Sequence, residues 1–124
     1  MIIQINNKSK NFYAHLGQVF GSREVERITS DRIYDDEDKV WFLYYKRGVP
    51  DTFVSIKDDA IKNVWTYDEK HLIEVLKEIR KKVSVKDSIV TKYFSDAYTK
   101  AGFKILDEKG KNFLVIRGDE IEKD

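Results

Sequence analysis

Apolar residues recur along the chain at two different periods, and the switches between them mark the expected elements. Ile2 to Ile5 forms a short β-rich run and predicts an opening strand. From about Ser9 to Ile28, Phe12, Tyr13, Leu16, Val19, Phe20, Val25 and Ile28 fall at three- and four-residue steps, with Gly17 and Gly21 as breaks, so two short helices are expected. Val40 to Tyr45 and the alternating Thr52 to Ile56 flank the turn residues Arg47 to Asp51 and predict a hairpin, with a third strand from Ile61 to Thr66. The period then lengthens: Leu72, Val75, Leu76, Ile79 and Val83 share one face of a helix spanning Asp68 to Val83. Ile89-Val90 predicts a short strand. Phe94, Ala97, Tyr98 and Ala101 predict a helix stopped by Gly102 at its C′ position, and Phe103 to Leu106 with Phe113 to Ile116 predict a closing hairpin.

Read in order, the strand ending at Thr66, the helix to Val83 and the strand near Val90 form a β-α-β unit, expected to be right-handed with parallel strands. Ligands of such units tend to lie where strands end and the next helix begins, which directs attention to Thr66 to His71.

Composition narrows the chemistry. The 124 residues predict one domain over 1–124, with 118–124 as a frayed polar tail. The charge balance is 23 − 22 = +1 with both signs interspersed, which argues against nucleic acid as a partner. Zero cysteines exclude disulfides, Cys-ligated metal and a thiol nucleophile, and the two histidines, His15 and His71, do not predict a metal site. The apolar opening ends at Asn6, too short for a leader or a membrane span, so a cytoplasmic location is expected.

Within this frame, Tyr98-Thr99-Lys100-Ala101-Gly102-Phe103-Lys104-Ile105 resembles the Tyr-x-x-x-Gly-Phe ending of the GCN5-related N-acetyltransferases (GNAT), which move an acetyl group from acetyl-CoA to an amine. Val64-Trp65-Thr66-Tyr67-Asp68-Glu69 resembles that family's fourth strand entering its cofactor loop, and Trp41 to Ile56 lies where the family has its second and third strands. The resemblance implies a mixed α/β fold: a twisted, mostly antiparallel sheet with one parallel β-α-β step and helices on both faces. It implies acetyl-CoA beside Val64, Trp65, Thr66, Lys70 and His71, and Tyr98 as the acid that protonates the leaving thiolate. The acceptor is then an amine on a small molecule or a protein, and a homodimer is compatible with this reading. Asp58 or Asp59, ahead of the third strand, is the candidate general base, with Asp59 preferred.

The family's Arg-x-x-Gly-x-Gly/Ala stretch is replaced here by Lys70-His71-Leu72-Ile73-Glu74, which has no glycine. Thr66-Tyr67-Asp68-Glu69 instead fits a capping box, with Thr66 as N-cap and Glu69 folding back to it. That pattern supports a second reading: a catalytically degenerate binding module of the same fold, with a protein partner. The run Asp35 to Asp38 lacks the spaced ligands of a calcium loop and reads as a solvated turn, and Lys77, Arg80, Lys81, Lys82 and Lys86 complement a helix C-terminus.

Overall fold

The computed structural model describes residues 1–118. Its elements are β1 (Ile2–Ile5), α1 (Phe12–Leu16), α2 (Arg23–Thr29), β2 (Val40–Lys46), β3 (Val49–Lys57), β4 (Ala60–Thr66), α3 (Glu69–Lys82), β5 (Val85–Thr91), α4 (Ser95–Lys100), β6 (Lys104–Lys109) and β7 (Phe113–Gly118), with a 3-10 turn at Lys92–Phe94. The expected tail falls outside the described residues except for Gly118, which closes β7.

The fold is mixed α/β. Four strands pair in the order β1-β2-β3-β4 and three in the order β5-β7-β6, all neighbours antiparallel. Two loops of the first sheet are two-residue turns, Arg47-Gly48 and Asp58-Asp59, in which both residues have positive φ. This is the turn geometry that matches the twist of the flanking strands. Pro50 is tolerated inside β3 because it lies before Thr52, where pairing with β4 begins, so no ladder donor is missed on that side.

Side chains alternate along β2 and commit its two faces to different helices. Phe20, following α1, packs edge-on to Trp41, and His15 contacts the Tyr45 hydroxyl. On the other face Tyr44 stacks on His71 of α3. The apolar stripe of α3, Leu72, Val75, Leu76 and Ile79, is buried as its period requires. Helices therefore cover both faces of the first sheet. No described helix is long and apolar enough to cross a membrane.

The expected parallel step does not form as a ladder. β4 and β5 end different sheets, and they are joined at their beginnings, where the Lys86 N–H donates to the Asp59 carbonyl at 2.8 Å and the Ile61 N–H to Ser88 Oγ at 2.9 Å. Two strand edges thus face each other beyond these bonds.

Gly102 ends α4 at φ +95°, and the Phe103 N–H reaches back to the Tyr98 carbonyl. A Cβ here would lie 2.4 Å from Arg80 Nη1. Arg80 cannot yield freely, because its guanidinium lies on the Phe103 ring and donates to the Ala101 carbonyl. Gly102→Ala is therefore expected to cost about 1–2 kcal/mol from backbone strain alone, read as a lower thermal midpoint.

Candidate functional site

The helix start differs from the expected capping box. The N-cap of α3 is Asp68, whose Oδ1 accepts the Lys70 N–H at 3.0 Å. Thr66 lies two residues earlier and makes a local turn: its hydroxyl accepts the Asp68 N–H at 2.9 Å and shares a 2.8 Å hydrogen bond with Thr52 across the β3–β4 ladder. Glu69 points to Lys100 at 3.4 Å rather than back to the cap. Asp outcompetes Thr here because its carboxylate adds charge–dipole attraction to the same backbone bond.

His71 is partly buried and tightly held. Its Nδ1 is 2.6 Å from Asp51 Oδ2 and 3.7 Å from Asp68 Oδ2, while the Tyr44 ring stacks at 3.8 Å and 9°. Asp51 is fixed in turn: Thr52 Oγ1 donates to its other oxygen, and its carbonyl accepts the Tyr67 N–H. Burial and the neighbouring Glu74 carboxylate push the Tyr44 phenol up. The ligand atoms of Asp51, Asp68 and His71 lie within 4.8 Å of one another, so histidine and carboxylates do converge at this helix start. Sequence inspection missed Asp51; the signal was the ladder register, which sets Thr52 opposite Thr66 and so brings Asp51 to α3.

The remaining candidates lie elsewhere. Val64 and Trp65 are buried on β4 with their side chains on opposite faces, Trp65 edge-on to Phe94. Tyr98 is fully buried, and its hydroxyl donates to the Thr91 carbonyl at the end of β5 at 2.7 Å. Burial, with a contribution from the Asp31 carboxylate, pushes this phenol well above its ordinary value of 10.0. Asp59 sits in the β3–β4 turn, so the length of β4 separates it from Thr66: about 20 Å at the rise of a strand. Thr66, Lys70 and His71 are thus brought together, whereas Tyr98 and Asp59 are not part of that group.

A second polar network, absent from the sequence expectations, crosses the opposite face of the sheet. Buried Lys39 donates to the Tyr34 carbonyl at 3.1 Å and to Asn63 Oδ1 at 2.9 Å, and Asn63 Nδ2 donates to Asp31 Oδ2 at 3.0 Å. Burial lowers the Lys39 pKa and raises that of Asp31.

No family model matches the chain, and no curated protein matches it in sequence. Among solved structures it is similar to the Campylobacter jejuni N-acetyltransferase PseH in complex with acetyl coenzyme A, at 17% identity and a TM-score of 0.45 over 65% of this chain and 68% of that one. It is also similar to the PaiA N-acetyltransferase from Thermoplasma acidophilum in complex with coenzyme A, at 14% identity and a TM-score of 0.46 over 94% of this chain and 98% of that one.

Proposed function

We propose that this chain is an acetyl-CoA-dependent N-acetyltransferase of the GCN5-related kind, acting on an amine. The observation that carries the reading is the pair of facing strand edges: β4 and β5 are tied at their beginnings and belong to different sheets. On a strand paired on one side only, alternate backbone groups face outward. Between Val64 and Thr66 those groups suit the amide-bearing arm of a coenzyme A. The Tyr98 to Ile105 resemblance, seated on α4 and the start of β6, supports the same reading.

When bound, acetyl-CoA supplies an activated thioester. Lys70 and His71 would hold its phosphates, opposed by the Asp68 and Glu69 carboxylates, and Asp51 already engages His71. Tyr98 keeps its proton at neutral pH, as an acid must, and holds it on the Thr91 carbonyl at the end of β5.

Calorimetric titration with acetyl-CoA tests this. The expected Kd is about 100 µM or weaker, because carboxylates crowd the helix start. Glu69→Gln, which removes one of them and releases Lys100, should tighten binding about 2- to 5-fold, the size of a charge–dipole contribution. No binding at millimolar acetyl-CoA would overturn the enzyme reading and favour the degenerate binding module, which the self-capped α3 start supports.

A further inference from the structure

Two separate stretches of the chain bring three metal-ligating side chains to one spot beside the start of α3. Asp51 comes from β3, Asp68 is the residue before α3, and His71 lies in the first turn of that helix. One ligand atom from each lies within 4.8 Å of the others, with His71 Nδ1 at 2.6 Å from Asp51 Oδ2 and 3.7 Å from Asp68 Oδ2. Each carboxylate spends its other oxygen on the protein itself: Asp51 Oδ1 accepts from Thr52 Oγ1 at 2.9 Å, and Asp68 Oδ1 accepts from the Lys70 N–H at 3.0 Å. The two remaining oxygens are the ones turned to the imidazole.

The charges at this spot do not balance. The ion pairs of Asp51 and Asp68 among the described residues are both to His71, and one imidazole carries at most a single positive charge against two negative ones. The helix N-terminus adds the equivalent of about half a charge, which still falls short. A divalent cation balances the two carboxylates by itself. The three groups are also held in place, as metal ligands need to be: the Tyr44 ring stacks on His71 at 3.8 Å, the Tyr67 N–H donates to the Asp51 carbonyl at 2.9 Å, and Thr66 Oγ1 accepts the Asp68 N–H at 2.9 Å.

We propose that Asp51, Asp68 and His71 bind a divalent cation of the zinc type, with a fourth coordination position left for water. A tetrahedral ion with bonds of about 2.0–2.1 Å sets its ligand atoms roughly 3.4 Å apart, so Asp51 Oδ2 retreats from Nδ1 by roughly 0.8 Å and Asp68 Oδ2 closes by roughly 0.3 Å. Both are side-chain adjustments. The imidazole nitrogen favours zinc over magnesium or calcium, which take oxygen ligands. The ion takes the Nδ1 lone pair, and the ring keeps its proton on Nε2. That N–H remains a donor for a phosphate, so the cation and the acetyl-CoA reading do not compete for one atom, and the metal site stands without the transferase.

Zinc chloride titrated into metal-free protein labelled with ¹⁵N-histidine, without acetyl-CoA, tests the site. His15, the other histidine of the chain, is the internal control. The expected result is saturation at one zinc per chain, with His71 Nδ1 moving to the signature of a metal-bound ring nitrogen, Nε2 staying protonated and His15 unchanged. Asp68→Asn keeps a good N-cap and loses one charged ligand, so it should weaken zinc at least about 10-fold while the thermal midpoint of the metal-free protein changes little. An undiminished affinity in that variant would overturn the proposal. So would zinc on His15 or on His71 Nε2, an equal response to magnesium chloride, or no saturable binding at millimolar zinc, and these wild-type readings hold whether or not the variant folds. Acetyl-CoA binding is decided separately by the calorimetric titration above, so the site and the transferase reading can fail independently.

Discussion

Trp41→Ala is expected to lower the unfolding free energy by about 3–5 kcal/mol, a large part of the roughly 5–15 that a domain possesses. Trp41 is fully buried near the start of β2, flanked on the ladders by Ile5 and Ser55. Phe20 packs edge-on at 5.6 Å and the Lys39 ammonium lies 5.6 Å from its ring. Truncation removes the ring that joins the α1 segment to the sheet and leaves a cavity between them. The indole Nε1 has no hydrogen-bond partner among the described residues, so the ring's contribution is packing. Trp41→Phe should therefore cost clearly less than Trp41→Ala in urea denaturation, with unchanged slopes. Equal costs would mean that the indole nitrogen, not the ring, matters.

How far the fold was legible followed from how local each signal was. The α3 stripe is set by residues within a few positions of one another, and the expected span, Asp68 to Val83, differs from Glu69–Lys82 by one residue at each end. The Gly102 stop was equally local: a positive φ after a short helix is a backbone need of that one residue. β5 was read as Ile89-Val90 but extends from Val85 to Thr91, because Lys86 and Asp87 interrupt the apolar alternation and a register shift lies between Val85 and Ser88. The division into two sheets was not legible. It depends on β5 taking β7 rather than β4 as its ladder partner, a pairing made by residues far apart in the chain.

The chemistry was legible to the same degree. Thr66, Lys70 and His71 are neighbours in sequence and meet at the helix start. Asp51 and Asp31 reach their sites through registers and a loop that no short motif encodes. Asn63 carried a usable signal: a polar residue inside an apolar strand stays buried where it is hydrogen-bonded, and Asn63 is the centre of such a network.

Asn63→Ala should then be unusually damaging for the loss of one small amide, at about 3 kcal/mol or more. The change leaves the buried Lys39 ammonium with the Tyr34 carbonyl as its one hydrogen-bond acceptor among the described residues, removes the Asn63 amide from Asp31, and removes the acceptor of the Ser55 hydroxyl. The deficit should also depend on pH with a definite sign. In the folded protein burial raises the Asp31 pKa above 3.8, against the lowering effect of Asn63, so the variant raises it further. Its ionised form is then penalised more than in the wild type, and that penalty disappears as pH falls through the raised value. Lys39 mirrors this: burial holds it below 10.5, and losing an acceptor for its charged form lowers it again. The added penalty is present while Lys39 is charged and fades as pH rises through the lowered value towards 10.5. The stability gap between wild type and Asn63→Ala should therefore be widest near neutral pH and narrow toward both acid and alkali, measured as denaturant midpoints across that range. A gap that stays constant with pH would show that Asn63 fills space and does not hold the two charges.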